Sequence, residues 1–112
     1  MPELYFLFGY IIYVTSMDQN EPFHVHVAKR GKIKGNKVPS AKIWIGRFGE
    51  VKLAHNNGHI PTRVLNQILL SIKESKQVYN SIVKAYCNFF NIKPDQIDYY
   101  RNIEEHSHGM RR

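Results

Sequence analysis

Two histidines stand two residues apart, directly after an acidic turn, in the segment Asn20-Glu21-Pro22-Phe23-His24-Val25-His26-Val27. Imidazole titrates near neutral pH, so His24 and His26 are candidates for general acid-base catalysis. Imidazole is also a ligand of zinc, manganese and non-haem iron, so the same pair is a candidate divalent metal site, with Glu21 or Asp18 as a further donor. A structural pair hydrogen-bonded to the acidic turn is the alternative.

The segment that carries the two histidines is predicted to be a strand. Successive side chains of a strand point to opposite faces, so Phe23, Val25 and Val27 share one face. His24 and His26 share the other face, roughly 6 to 7 Å apart. One face therefore suits a core, and the other suits chemistry or binding.

The first half of the chain is predicted to form strands and the second half helices. Apolar residues recur at helical spacing after Pro61 and again after Ser75, which predicts two amphipathic helices or one bent helix. The run from Leu4 to Val14 predicts one buried strand, or two short strands broken at Gly9. The predicted strands of the first half are Tyr10 to Thr15, Phe23 to Lys29, Ala41 to Ile45 and Glu50 to Ala54.

Strands followed by helices predict an α+β fold. We expect a small antiparallel sheet of about four strands, with the two C-terminal helices packed on one face. The predicted domain organisation is a single α+β domain over residues 1–94 and an extension over 95–112. This extension is expected to dock in part and to end in a flexible tail.

The chain of 112 residues carries a formal charge of +7, which favours an anionic partner. Five of its positive charges lie in the predicted loop from Lys29 to Lys37. This loop has almost no apolar side chains to bury, so it is expected to be mobile. Strand alternation places Lys42 and Trp44 beside the histidines, where Trp44 offers a ring for base stacking. The candidate binding residues are Glu21, Lys42 and Trp44, together with Lys29, Arg30, Lys32, Lys34 and Lys37 of the loop.

Several segments of this sequence resemble the small bacterial family catalogued as domain of unknown function 4160. They are Tyr13, Asn20-Glu21-Pro22, His24-x-His26-Val27, Ala41-Lys42-Ile43-Trp44-Ile45 and Val51-x-Leu53-Ala54. The resemblance covers about residues 5 to 91. It implies a small bacterial protein of a kind regarded as candidate toxins of toxin-antitoxin pairs.

Three functional hypotheses follow, and whether the protein is an enzyme stays open among them. The leading one is a toxin-like protein that engages RNA or another anionic partner through His24, His26, Lys42 and Trp44. The second is a non-enzymatic module that binds a small acidic protein or a second copy of itself as a homodimer. The third is a metal-dependent enzyme that uses His24 and His26.

The sequence also predicts the cellular localisation of the protein. The apolar run from Leu4 to Val14 has eleven residues and is too short to span a bilayer, so no membrane association is expected. Cys87 is the only cysteine, which excludes an intrachain disulfide and predicts the reducing cytoplasm.

Overall fold

A computed structural model describes residues 3–29 and 40–100 of the chain. It shows an α+β fold in which a five-stranded antiparallel sheet is followed by two helices packed against it. Arg30, Lys32, Lys34 and Lys37 of the predicted basic loop lie outside the described residues, as does the predicted tail.

The five strands follow one another across the sheet in chain order, and each pair of neighbours is antiparallel. The sequence predicted about four strands. The additional strand arises because the run from Leu4 to Val14 folds back at Phe8 and Gly9, whose φ angles are 53° and 82°. Both angles suit a tight hairpin turn. The strands are β1 Glu3–Leu7, β2 Tyr10–Tyr13, β3 His24–Lys29, β4 Ala41–Ile45 and β5 Val51–Asn56.

Two helices, α1 Thr62–Glu74 and α2 Lys76–Phe90, form the second layer. They are separate helices, because Ser75 between them is extended and its hydroxyl accepts a hydrogen bond from the Val78 N–H at 3.2 Å. Asn91 ends α2 in the left-handed conformation. Neither helix, and no other helix of the described ranges, has the length and apolarity needed to cross a bilayer.

The core lies between the helices and one face of the sheet, which we call the helix face. Strand alternation places Val25 and Val27 of β3 there, and both are fully buried. The other fully buried side chains of this core include Ile12, Phe23, Ile43, Ile45, Ile68, Ile72 and Ile82. Burying such side chains is the main stabilising contribution, at about 25 cal/mol per Å² of apolar area.

The segment after α2 returns to the sheet and packs against the beginning of β3. Ile97 is buried in the core, and the Tyr99 ring meets the Phe23 ring edge to face at 5.8 Å. The Phe23 N–H donates to the Asp98 carbonyl at 2.7 Å, and the Tyr100 N–H donates to the Ile45 carbonyl at 3.4 Å. These contacts bring the Tyr100 ring to the other face of the sheet.

We predict that Ile43→Ala destabilises the protein strongly, whereas Leu70→Ala does not. Ile43 is fully buried in the central part of the core, and truncation there loses burial and leaves a cavity, at about 2 to 5 kcal/mol. Leu70 is 54% exposed on α1 and serves as the matched control. Urea unfolding measures both variants, and equal losses of unfolding free energy would contradict the assigned core.

Candidate functional site

The sheet face opposite the helices carries the residues that the sequence selected, and we call it the site face. His24 pairs with Trp44 and His26 pairs with Lys42 across β3 and β4, while Val25 and Val27 point into the core. The predicted alternation along β3 is therefore confirmed. The site face is not open throughout, because His24 is only 1% exposed.

Asp18 lies over the two histidines and joins them. It belongs to a short 3-10 helix, Ser16–Asn20, which is formed by the acidic turn before β3. Its Oδ1 atom lies 3.0 Å from Nε2 of His24 and 3.0 Å from Nε2 of His26, and its Oδ2 atom lies 3.0 Å from Nε2 of His26. Asp18 is buried, with 6% of its surface exposed. We call these three residues the Asp-His-His cluster.

The orientation of the carboxylate is fixed by the backbone of the same turn. The Thr15 N–H donates to Oδ2 of Asp18 at 2.7 Å, and the Asp18 N–H donates to the Thr15 carbonyl at 3.0 Å. Asp18 thus stabilises its own turn while its other lone pairs face the histidines. The Asp18 side chain therefore connects the turn before β3 to β3 itself.

The second nitrogen of His24 determines the protonation of the cluster. Nδ1 donates to the Pro22 carbonyl at 2.8 Å, and a carbonyl oxygen can only accept, so Nδ1 carries a proton. In a neutral ring Nε2 then has a free lone pair, yet it lies against the carboxylate of Asp18. A proton or a metal ion between the two atoms would satisfy both of them.

The Asp18 carboxylate is ionised at neutral pH. Burial alone would raise its pKa, but hydrogen bonds from His24, from His26 and from the Thr15 N–H outweigh burial. Together they hold the pKa of Asp18 well below its usual range. A permanent negative charge is thus held between two imidazoles.

Aromatic rings surround the cluster on the site face. The Tyr13 ring stacks on the His26 ring at 5.3 Å, and the His24 ring meets the edge of Trp44 at 5.2 Å. Tyr100 stacks on Trp44 with ring centroids 4.5 Å apart. These contacts account for the burial of His24.

Two side chains already lie against the Trp44 indole. The Lys42 ammonium lies 4.3 Å from the centre of the indole, and the Tyr100 ring lies 4.5 Å from it. Lys42 also donates to Oε1 of Glu21 at 2.8 Å. A nucleobase that stacks on Trp44 would compete with these contacts, so the predicted stacking platform is at least partly covered by the protein's own side chains.

A line of basic side chains crosses the three strands beside the cluster. His26 of β3 lies opposite Lys42 of β4, and Lys42 lies opposite His55 of β5. A register shift between Lys42 and Ile43 brings His55 into this line. We call His26, Lys42 and His55 the basic row. Burial, and then the charges of Lys42 and His26, lower the pKa of His55, which favours its neutral ring.

The comparison with known proteins gives the family of this chain. Residues 9–81 match the family described as Domain of unknown function (DUF4160). The chain belongs to this family. The matched segment contains the whole Asp-His-His cluster and the whole basic row of this DUF4160 protein. No curated protein and no solved structure matches it.

The structure divides the candidate binding residues of this DUF4160 protein into two groups. Glu21, Lys42 and Trp44 contact one another beside the histidines. Lys29 alternates with Val25 and Val27 along β3, so its side chain leaves the strand toward the helix face. The remaining basic residues, from Arg30 to Lys37, lie outside the described residues.

Sequence reasoning underestimated Asp18 and missed His55 and Tyr100. The sequence offered Asp18 and Glu21 as alternative additional donors and could not choose between them. Asp18 precedes His24 by six residues, a spacing that matches neither strand nor helix periodicity. The strand predicted over Glu50 to Ala54 stops short of His55, whereas β5 extends through Asn56 and includes it.

We predict that Asp18→Ala lowers the free energy of unfolding by about 3 kcal/mol, because it leaves the His24 and His26 nitrogens and the Thr15 N–H without their acceptor. Asp95→Ala removes an exposed carboxylate and should change stability by less than about 0.5 kcal/mol. Chemical denaturation followed by circular dichroism measures both. An Asp18→Ala protein as stable as the parent would show that the cluster contributes nothing to folding.

Proposed function

We propose that the protein engages single-stranded RNA on the site face, as a toxin-like component of a toxin-antitoxin pair. The observation that supports this best is the basic row, in which His26, Lys42 and His55 lie side by side on neighbouring strands. Neighbouring strands are about 4.8 Å apart, so the row spans roughly 10 Å. That length suits one or two phosphate groups of an extended nucleic acid strand.

The charge distribution along the chain supports an anionic ligand at this place. Half of the 16 lysines and arginines lie between Lys29 and Lys52, where Glu50 is the only acid. Lys52 lies opposite Trp44 on β5, next to the basic row. An approaching phosphate would oppose the lowering of the pKa of His55, so the His55 ring gains positive charge on binding.

Of the two histidines of the Asp-His-His cluster, His26 is the one that a ligand can reach. Its side chain is 18% exposed, whereas that of His24 is 1% exposed. We assign contact with the RNA backbone to His26 and Lys42, and a positioning role to His24. The catalytic hypothesis for the histidine pair therefore rests on His26 alone.

A non-enzymatic interaction module is the second candidate, and the contacts that Tyr100 and Lys42 make with Trp44 favour it. An indole already covered by Tyr100 and Lys42 is a preformed surface rather than a receptor for nucleobases. Such a surface with basic neighbours would accept a small acidic protein, such as an antitoxin, or a second copy of the chain.

Turnover separates the two candidates. Incubating the protein with labelled single-stranded RNA, followed by gel separation, detects cleavage directly. Cleavage by the parent that is lost in His26→Gln, with RNA affinity retained, would assign chemistry to His26. RNA that binds and stays intact would assign binding without catalysis.

We predict that the double variant Lys42→Gln and Lys52→Gln weakens the salt dependence of RNA binding. Each single-strand phosphate neutralised contributes about 0.7 to the slope of log affinity against log salt, so the slope should fall by up to about 1.4. Fluorescence anisotropy at several salt concentrations measures it. The control is Lys73→Gln with Lys84→Gln, which removes equal charge from the exposed surface of α1 and α2.

Two outcomes would refute the RNA proposal. One is the absence of RNA binding at low salt, and the other is an identical slope change in the site-face and helix variants. If the protein instead binds an acidic protein encoded beside it and not RNA, the interaction module is the better account. A dimer in light scattering that dissociates in the Trp44→Ala variant would favour self-association.

A second prediction concerns the basic segment between β3 and β4. Replacing Lys29, Arg30, Lys32, Lys34 and Lys37 by Gln should lower the slope by up to about 3.5, if each cation contacts one phosphate. The charge-matched control replaces five exposed cations, Arg63, Lys73, Lys76, Lys84 and Lys93. Equal slopes for the two variants would show that net charge matters and that this segment has no special part in binding.

A further inference from the structure

We infer that the Asp-His-His cluster is a binding site for one divalent transition-metal ion, with Zn²⁺ as the best probe. The ligand atoms are one carboxylate oxygen of Asp18 and the Nε2 atoms of His24 and His26. These three atoms all lie within 4.8 Å of one another. The inference does not depend on RNA binding.

The separations between the donor atoms fit a single ion. A tetrahedral zinc ion with bonds of about 2.0 to 2.1 Å holds its ligands about 3.3 Å apart. Nε2 of His24 and Nε2 of His26 each lie 3.0 Å from Oδ1 of Asp18. These two separations would widen by a few tenths of an ångström to admit the ion, and the third, between the two histidine nitrogens, is within 4.8 Å.

The lone pairs of the cluster converge on one position, which favours a cation there. Nδ1 of His24 is committed to the Pro22 carbonyl, so Nε2 of the neutral ring offers its lone pair toward the carboxylate. A metal ion at this point would be bound by that lone pair, by the carboxylate and by His26. The alternative is a proton on His24, which would give a buried imidazolium-carboxylate pair without a metal.

The surroundings of the cluster are those that hold metal ligands in place. A metal-bound histidine generally donates its second N–H to a carbonyl or carboxylate, as His24 does to Pro22. The carboxylate is oriented by the Thr15 N–H at 2.7 Å, and the His26 ring is supported by Tyr13. All three ligand side chains therefore have a contact that fixes their direction.

The donor set indicates the class of metal and the kind of site. Two imidazoles and one carboxylate suit Zn²⁺, Mn²⁺, Fe²⁺ or Co²⁺, and they disfavour Mg²⁺, which prefers oxygen ligands. Cys87 is buried in the core among residues of the helix face and does not take part. With three protein ligands and partial exposure at His26, the remaining position would be open to water or to a ligand.

The test is calorimetric titration of metal-free protein with ZnCl₂, in a background in which His106 and His108 are replaced by Ser. This background removes a second His-x-His sequence that would otherwise bind zinc on its own account. We expect one Zn²⁺ per chain. Each of the variants Asp18→Asn and His26→Gln should weaken the dissociation constant by more than about 100-fold, a larger loss than that of an outer-shell partner.

Asp18→Asn is chosen because it can preserve the fold. The amide keeps its oxygen for the Thr15 N–H and can donate its N–H to Nε2 of neutral His24, so the shape of the cluster is retained without the charge. The matched control is His59→Asn, which removes an exposed histidine outside the cluster. Asn also tolerates the positive φ of 53° at that position. This control should bind Zn²⁺ like its parent.

Two further measurements, in the same background, keep the inference testable without any substitution in the cluster. The NMR signals of the His24 and His26 rings should change until one equivalent of Zn²⁺ is added and not beyond. Co²⁺ should give the visible absorption of a nitrogen- and oxygen-ligated ion. No binding by the parent, unchanged ring signals, or equal zinc affinity in Asp18→Asn, His26→Gln and His59→Asn would overturn the inference and leave a buried ion pair.

Discussion

The carboxylate of Asp18 is the interaction on which the site face depends. Burying a charged group is expensive unless its partners satisfy it, and Asp18 has partners from its own turn and from β3. The same contacts fix the position of the turn, the rotation of two imidazoles and the burial of His24. A single charge thus links the acidic turn to the strand that follows it.

The division of the sheet into two faces allows this arrangement. Fully buried apolar side chains of β3 and β4 pack against the helices, so the alternate positions are released from the core. Polar and aromatic side chains occupy these positions and make hydrogen bonds and ring contacts with one another. The segment around Tyr100 then covers part of the site face, since its backbone is bonded to Ile45. Packing of the core therefore fixes the strands on which the site residues lie.

Much of this could be predicted from the sequence because it depends on local periodicity. Alternation assigned Val25, His26 and Lys42 to their faces, and helical spacing located α1 and α2. Long-range contacts carried no such signal. That Asp18 rather than Glu21 meets the histidines depends on how the 3-10 helix folds back, and Glu21 instead pairs with Lys42. His55 joins the basic row through a register shift, which no alternating pattern shows.

The proposed metal and RNA functions share His26 and therefore constrain each other. With neutral rings the Asp-His-His cluster carries one negative charge, which opposes an approaching phosphate. A bound divalent ion would change that charge by two units and make the cluster attractive to anions, and its open position could accept a phosphate oxygen. Linkage then requires that metal raise RNA affinity and RNA raise metal affinity by the same factor. If the cluster instead holds a proton on His24, its net charge is zero. Lys42 and its basic neighbours would then supply the electrostatic attraction for RNA.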